Sequence, residues 1–444
     1  MRIFSPILIA IFFVSFLFSC SSDKKIDDKN AISVFANDDL IKADASLANI
    51  KISLPKQINN QFWFGSNNDN NQAIENFTFS NKISKTTSIW AGYRPGYEDR
   101  MVFSPIITSD KIYTLDAKGN LYARNLSNHK IIWKKKLIDR FFIKDFTDGK
   151  ISYFDGKIFA STGYNLVLCA NAESGEIIWS KTLSSIPISA PISDGKQVFI
   201  ITNDNKTYAL DVTNGEINWL HSGILKATGI IGAANPVAYK NYIITSYSSG
   251  EVYALNKKSG EVGWVYDLNI SKAANSDFIL NDVDATPVIK DGVAYAIGNG
   301  GLMMAIRIVD GVILWQKELA SITDFWIAGD FIYLVTNDNQ LISISKKAGA
   351  VKWMVQLQKY LNDKKPVNKI VYNGIIMAGD NLVMTNSNRE LIFISPLDGK
   401  ILQTKSLNQR IFHSPIVVNG KIYLHTIGRF TSNLMIFESL TINR

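Results

Sequence analysis

Cysteine is nearly absent from this chain: Cys20 and Cys169 are the only two in 444 residues. If Cys20 is covalently modified, Cys169 stands alone and no intramolecular disulfide can form. Cys169 lies in the apolar run Asn165-Leu-Val-Leu-Cys-Ala170 and reads as a small buried hydrophobe. Histidine is almost as scarce. His129, His221, His413 and His425 show no metal-ligand spacing, so no metal site is expected. No glycine-rich phosphate loop, Cys-x-x-Cys pair or Ser-His-Asp order occurs, and no cofactor or enzymatic activity is expected. The formal charge of +8 is not gathered into basic runs interleaved with aromatics. Lys134-Lys135-Lys136 and Lys364-Lys365 read as solvated strand ends or loops, which argues against a nucleic-acid partner.

Long apolar runs are also missing, with one exception. Arg2 precedes an apolar stretch from Ile3 to Phe18, too short for a confident membrane span but suited to the core of an export signal. After Cys20 the chain is polar up to about residue 60 and rich in Asp, Lys, Asn and Ser, as a flexible tether would be. Beyond it the composition is that of a folded body. Apolar residues make up 46% of the chain and charged residues 19%, enough to bury a sizeable core. Aromatics at 11% suit strands better than helices.

A repeat decides the fold class. Gly-x-x-x-Trp recurs as Gly175–Trp179, Gly215–Trp219, Gly260–Trp264, Gly311–Trp315 and Gly349–Trp353. Two degenerate copies flank these. His129-Lys-Ile-Ile-Trp133 has lost the glycine, and Gly399-Lys-Ile-Leu-Gln403 has lost the tryptophan. Successive tryptophan-equivalent positions are 38 to 51 residues apart, about one four-stranded blade. Inside each repeat, strand-like runs flank a polar turn, as at Lys118-Gly-Asn120, Asn203-Asp-Asn205, Ser248-Ser-Gly250, Asn337-Asp-Asn339 and Asn386-Ser-Asn388. An eighth copy starts at Ser414-Pro415 and ends before its last strand. The pattern predicts an all-β, eight-bladed propeller of four-stranded antiparallel blades over residues 61–440. Its ring would be closed by an N-terminal strand around Trp90 pairing with residues near 430–440. The repeated tryptophans are expected to be core, each laying a flat face on the neighbouring blade.

Two resemblances add function. Leu17-Phe18-Ser19-Cys20 resembles the lipobox of bacterial lipoproteins, which implies a signal peptide over 1–19, acylation at Cys20 and a lipidated tether over 20–60. Ser21 in place of an acidic residue implies sorting to the outer membrane, facing the periplasm. Tyr208–Trp219 and Tyr253–Trp264 resemble the tryptophan-docking repeats of the pyrroloquinoline-quinone-type propellers. Within that class two readings are open. One is a quinone-dependent dehydrogenase or another periplasmic ligand-binding propeller. The other, favoured here, is the BamB family of lipid-anchored scaffolds in the outer-membrane barrel assembly machinery. The absent cysteine pair argues against the dehydrogenase.

Long blade-to-blade connectors are where binding is expected. In Asn281-Asp-Val-Asp-Ala-Thr-Pro287, Asp282 and Asp284 fall where the BamB family has an acidic pair used in contact with the barrel protein BamA. Solvated loop residues or a turn cap are the alternative. In the preceding connector, Thr228, Ile230 and Ile231 match a stretch that docks on BamA, with Ile231 where the family has arginine and Lys226 nearby. Strand core is the alternative for the isoleucines. A third connector, Gln356 to Asn373, carries Lys359, Lys364, Lys365 and Lys369 and reads as a solvated loop. The resemblance implies a BamA-type partner and a chain that is monomeric within a hetero-complex.

Overall fold

The computed structural model describes residues 41–65, 74–80, 82–94, 104–137, 149–225, 234–270, 282–362, 364, 366–429 and 431–439. They form eight antiparallel sheets, seven of four strands in sequence order and an eighth of five. Blades 1 to 7 begin with inner strands at Ile106, Lys150, Ile192, Val237, Val288, Trp326 and Ile376. Blade 8 comprises Ile416–Val418, Lys421–Ile427 and Thr431–Ser439, and its outer strand is Ile83–Tyr93 from the other end of the chain. A short segment, Arg410–Ile411, adds the fifth strand.

The ring closes as the repeat count demands. Trp90 faces Asn433, Ile89 faces Leu434 and Thr87 faces Ile436. Leu434, Ile436 and Phe437 are buried. Trp90 meets Tyr122 of blade 1 edge-on at 5.3 Å, and the buried Arg124 guanidinium lies 5.2 Å from the Trp90 ring. The polar turns take the left-handed conformation on their second residue, Gly119, in blade 1 and on their third at Asn205, Gly250 and Asn339. In blade 7 it falls one residue later, on Arg389 rather than Asn388.

The Gly and Trp of the repeat act between blades. Gly215 has φ +74, and a Cβ there would stand 2.6 Å from the Trp179 ring of the preceding blade. Only glycine lets the indole lie that close. The indole N–H then donates to the carbonyl three residues before the glycine, as from Trp179 to Val212 (2.9 Å) and from Trp219 to Lys257 (2.8 Å). Most of these rings are over 90% buried. Removing that apolar surface from water contributes about 4–6 kcal/mol per ring before entropy is counted. Cys169 is fully buried, and burial pushes its thiol pKa up to about 12, as its apolar run implied.

The boundary of the tether moves. Composition puts residues 44–60 in it, yet they lie on the ring. The Asp44 N–H donates to the Val351 carbonyl at the outer strand of blade 6, and Lys352 Nζ donates to the Leu47 carbonyl. Gln57 reaches Asp380, and Asn60 bonds Val417 and Asn419 in blade 8. Trp63 bridges Ile107 of blade 1, and the Tyr153 N–H of blade 2 donates to Phe64. Returning, Glu75 pairs with Lys290 of blade 5. Phe77 bridges Ala378 of blade 7 and is fully buried, with its ring 6.2 Å from Trp63 and 5.6 Å from Trp326. This strap is fixed by apolar anchors spaced far apart in a polar stretch.

Candidate functional site

Six of the eight inner strands are entered through a small or polar residue: Ser104, Ser189, Asn235, Thr286, Asp324 and Ser414. Several of these link neighbouring blades. The Ala190 N–H donates to Asn235 Oδ1 (2.7 Å), the Asn235 N–H to Thr286 Oγ1 (3.3 Å), and the Thr286 N–H to Asp324 Oδ1 (2.8 Å). A side chain of each blade thus accepts from the backbone of the blade before it. The result is a polar girdle across blades 3 to 6 at the connector end of the inner strands.

Asp282 and Asp284 lie at the margin of this girdle, just before Thr286. Asp282 is 1% exposed, and its carbonyl accepts from the Asn299 N–H (2.9 Å) in a turn of the same blade. Val283 between them packs into the core of blades 4 and 5. Asp284 is half-buried. Burial, and then the like charges of Asp282 and Asp324, push its pKa up to about 7, while Lys150 of blade 2 opposes them. Burial likewise raises Asp324, against the pull of the Thr286 N–H and Lys150. Asp282 is therefore not a free surface charge; of the pair, Asp284 offers the open side.

Asp324 and Lys150 belong to this cluster but not to the sequence-derived site. They lie 40 residues after and 134 residues before Asp284, and nothing local marks them. Among the described residues no group of three or more His, Cys, Asp or Glu side chains is placed to hold a metal ion. Cys20, Lys226, Thr228, Ile230 and Ile231 lie outside the described residues. The third connector is better ordered than a solvated loop. Tyr360 bridges Lys369, whose Nζ donates to the Asn337 carbonyl (2.6 Å), and Ile370 and Tyr372 are buried.

In blade 5 the inner strand Val288–Lys290 starts just after the acidic cluster and finishes at Lys290, which pairs with Glu75 of the strap. Strap contacts at Gly329, Gly379 and Asn419 also lie in the turns that leave inner strands, while Trp63 Nε1 donates to Ser104 Oγ (3.3 Å) where the inner strand of blade 1 is entered.

Comparison with known proteins places this architecture. A family model described as outer membrane protein assembly factor BamB matches residues 130–355, 226 of the 444 residues. The chain is 25% identical over 358 residues to outer membrane protein assembly factor BamB of Yersinia pestis, covering 78% of this chain and 88% of that protein. It is 25% identical to the BamB of Escherichia coli (strain K12), covering 79% and 88%. An uncharacterised protein of Rickettsia prowazekii (strain Madrid E) is 28% identical over 350 residues, covering 78% and 82%. Among solved structures, BamB from Moraxella catarrhalis superposes with a TM-score of 0.66 at 16% identity, covering 79% of this chain and all of that one. Quinohemoprotein alcohol dehydrogenase from Comamonas testosteroni superposes with a TM-score of 0.64 at 11% identity, covering 85% and 80%. Both likenesses are of fold alone. The expectation of a non-enzymatic chain agrees with the family's description as an assembly factor. The chain belongs to the BamB family of outer membrane protein assembly factors.

Proposed function

We propose that this chain is an accessory lipoprotein of the outer-membrane barrel assembly machinery. Cys20 carries the lipid, the body faces the periplasm, and the connector end docks on a BamA-type barrel protein. The docking is non-covalent, without chemistry of its own. Membership of the BamB family carries the reading. Its support in the molecule is that in blade 5 the acidic cluster around Asp284 sits at the opposite end of the inner strand from the strap contact at Lys290. Asp284 would meet a basic or strand-edge surface of the partner, with Thr228, Ile230 and Ile231 supplying an apolar contact beside it. Asp282 would hold the connector's shape from inside. The 24 residues from Cys20 to Asp44 span at most about 80 Å when extended. The anchor therefore leaves the connector end wide freedom to find its partner.

The test is co-purification of BamA with the full-length lipidated chain, with Asp284→Lys and with Asp284→Asn. Asp282 is left alone, because a buried lysine there would report on folding. Loss of BamA from Asp284→Lys with an unchanged far-UV spectrum and melting curve is expected. Undiminished recovery discards this docking site, and failure of the wild-type chain to recover BamA discards the function itself.

A further inference from the structure

Six blade interfaces share one kind of seat, and a seventh keeps the seat without its occupant. In the six, the outer-strand tryptophan lies on the next blade's glycine and donates to the carbonyl three residues before it. In five of them the wall is an aromatic ring of the second strand, such as Tyr113 against Trp133 (6.0 Å) or Phe199 against Trp219 (5.9 Å). The register between strands places that wall and that tryptophan in one row: Tyr113 faces Ala123, which faces Trp133.

The same row in blade 8 reads Tyr423, Ile436, Thr87. Tyr423 is the wall, and Thr87 stands where the tryptophan would be. Across the interface, blade 1 has His129 at the glycine position, in the same left-handed conformation (φ 62 against +73 at Gly175). The carbonyl three residues earlier is that of Leu126, which receives no donor among the described residues. Between them lies a half-open cavity of about 680 Å³, lined by Thr87, Tyr423, Ile436, Leu126 and His129 together with polar side chains that include Asp110 and the Lys421–Glu438 pair. The neighbouring interface also lacks its tryptophan, having Gln403 there. There Phe79 of the strap is buried and stacks at 6.1 Å and 12° on Phe393, the strand partner of Gln403. At the interface between blades 8 and 1 the closing strand sets Trp90 against Tyr122 and Arg124 of blade 1, while among the described residues no aromatic ring takes the place of Thr87 itself.

We infer that this cavity is a seat for an indole ring, the tryptophan side chain of a polypeptide partner. The molecule itself states the occupant, because the wall and the acceptor it retains hold tryptophan at the other interfaces. His129 explains why blade 8 does not supply its own. At the equivalent glycines a Cβ would come within 2.6–2.9 Å of a ring fixed by its own backbone. A ring arriving from outside is not tied to that backbone. It can sit slightly farther out, between the Tyr423 ring and the imidazole, with its N–H on the Leu126 carbonyl. Burial, followed by Lys421, holds the His129 pKa below its usual range, so the imidazole offers a neutral flat face at neutral pH. The inference does not depend on where BamA docks.

N-acetyl-tryptophanamide, titrated into the full-length protein and followed by NMR, is the probe. Saturation with a Kd on the order of 1 mM or tighter is expected, with contacts from the indole protons to the Thr87 methyl and the His129 ring. N-acetyl-leucinamide should bind at least tenfold more weakly. Thr87→Trp combined with His129→Gly rebuilds the repeat's own pair. It should abolish binding and raise the melting temperature by about 2 °C or more. No saturation by 10 mM, indole contacts elsewhere on the protein, or undiminished binding to a folded double variant overturns the inference. Should the double variant not fold, the contacts in the wild-type protein decide.

Discussion

The docking of tryptophan on glycine predicts a coupling that a double-mutant cycle can measure. Gly215→Ala places a methyl 2.6 Å from Trp179 Cε3 and 2.8 Å from Cδ2, closer than side-chain carbons come. It also forces alanine into φ +74, at a cost of about 1–2 kcal/mol. Pushing the ring out of a packed interface costs a further ~1–3 kcal/mol. Trp179→Ala empties a site that is 7% exposed and loses the hydrogen bond to Val212, for about 3–5 kcal/mol. In the double variant the alanine methyl meets no ring, so only the backbone cost and the lost tryptophan remain. The two changes together should cost about 1–3 kcal/mol less than their sum. Urea unfolding of the four proteins, followed by far-UV circular dichroism, gives the coupling once a second probe confirms a single transition. Additivity within ~0.5 kcal/mol refutes the claim that the glycine exists to receive the indole.

Two further predictions concern the acidic cluster and the closure. Asp284 has a folded pKa of about 7, above the ordinary carboxylate value, so the native state holds its proton more tightly than the unfolded chain. Its contribution is fully present below about pH 4 and is lost as pH rises through 7. Asp284→Asn should therefore gain about 1–2 kcal/mol on wild type between pH 4 and pH 8, after discounting for its solvent-facing side. Parallel stability curves of the two proteins across that range rule this out. Deleting residues 434–444 removes Leu434, Ile436 and Phe437 and the pairing of the last strand with both of its neighbours. The melting temperature should fall by about 10 °C or more; an unchanged value contradicts closure by this strand.

The blades were legible because they repeat. A Gly-x-x-x-Trp spacing of one blade length left little choice of fold. The closing strand was legible by subtraction: blade 8 lacked an outer strand, and Trp90 stood in an unassigned strand-like run. The strap was not legible. Phe77 and Phe79 are isolated aromatics in a polar segment, and their partners Trp326, Ala378 and Phe393 lie some 250 to 315 residues away. Residues 44–60, polar and without aromatics, read as tether. The acidic site was half legible for a similar reason. The Asp-Val-Asp spacing drew attention to the connector, but burial of Asp282 depends on the turn at Asn299, and the pKa of Asp284 depends on Asp324 and Lys150. His129 was visible as a departure from the repeat, and Thr87 was not. That they face one another required the register of the closing strand.

Strap and closing strand are one stretch of chain, and that order has a mechanical consequence. Under the proposed anchoring at Cys20, tension would meet its first contact among the described residues at Asp44, on the outer strand of blade 6, through the Val351 and Lys352 contacts. It then meets the contacts of Gln57 with Asp380, of Asn60 with Val417 and Asn419, and of Trp63 with Ile107. Only after these does the chain come to Ile83–Tyr93, the strand that closes the ring. A closing strand joined directly to the tether would carry the load of anchoring on an interface that lacks the repeat's tryptophan–glycine pair. With the strap ahead of it, the load is spread over blades 6, 7, 8 and 1, and the ring can stay shut while the tether is pulled.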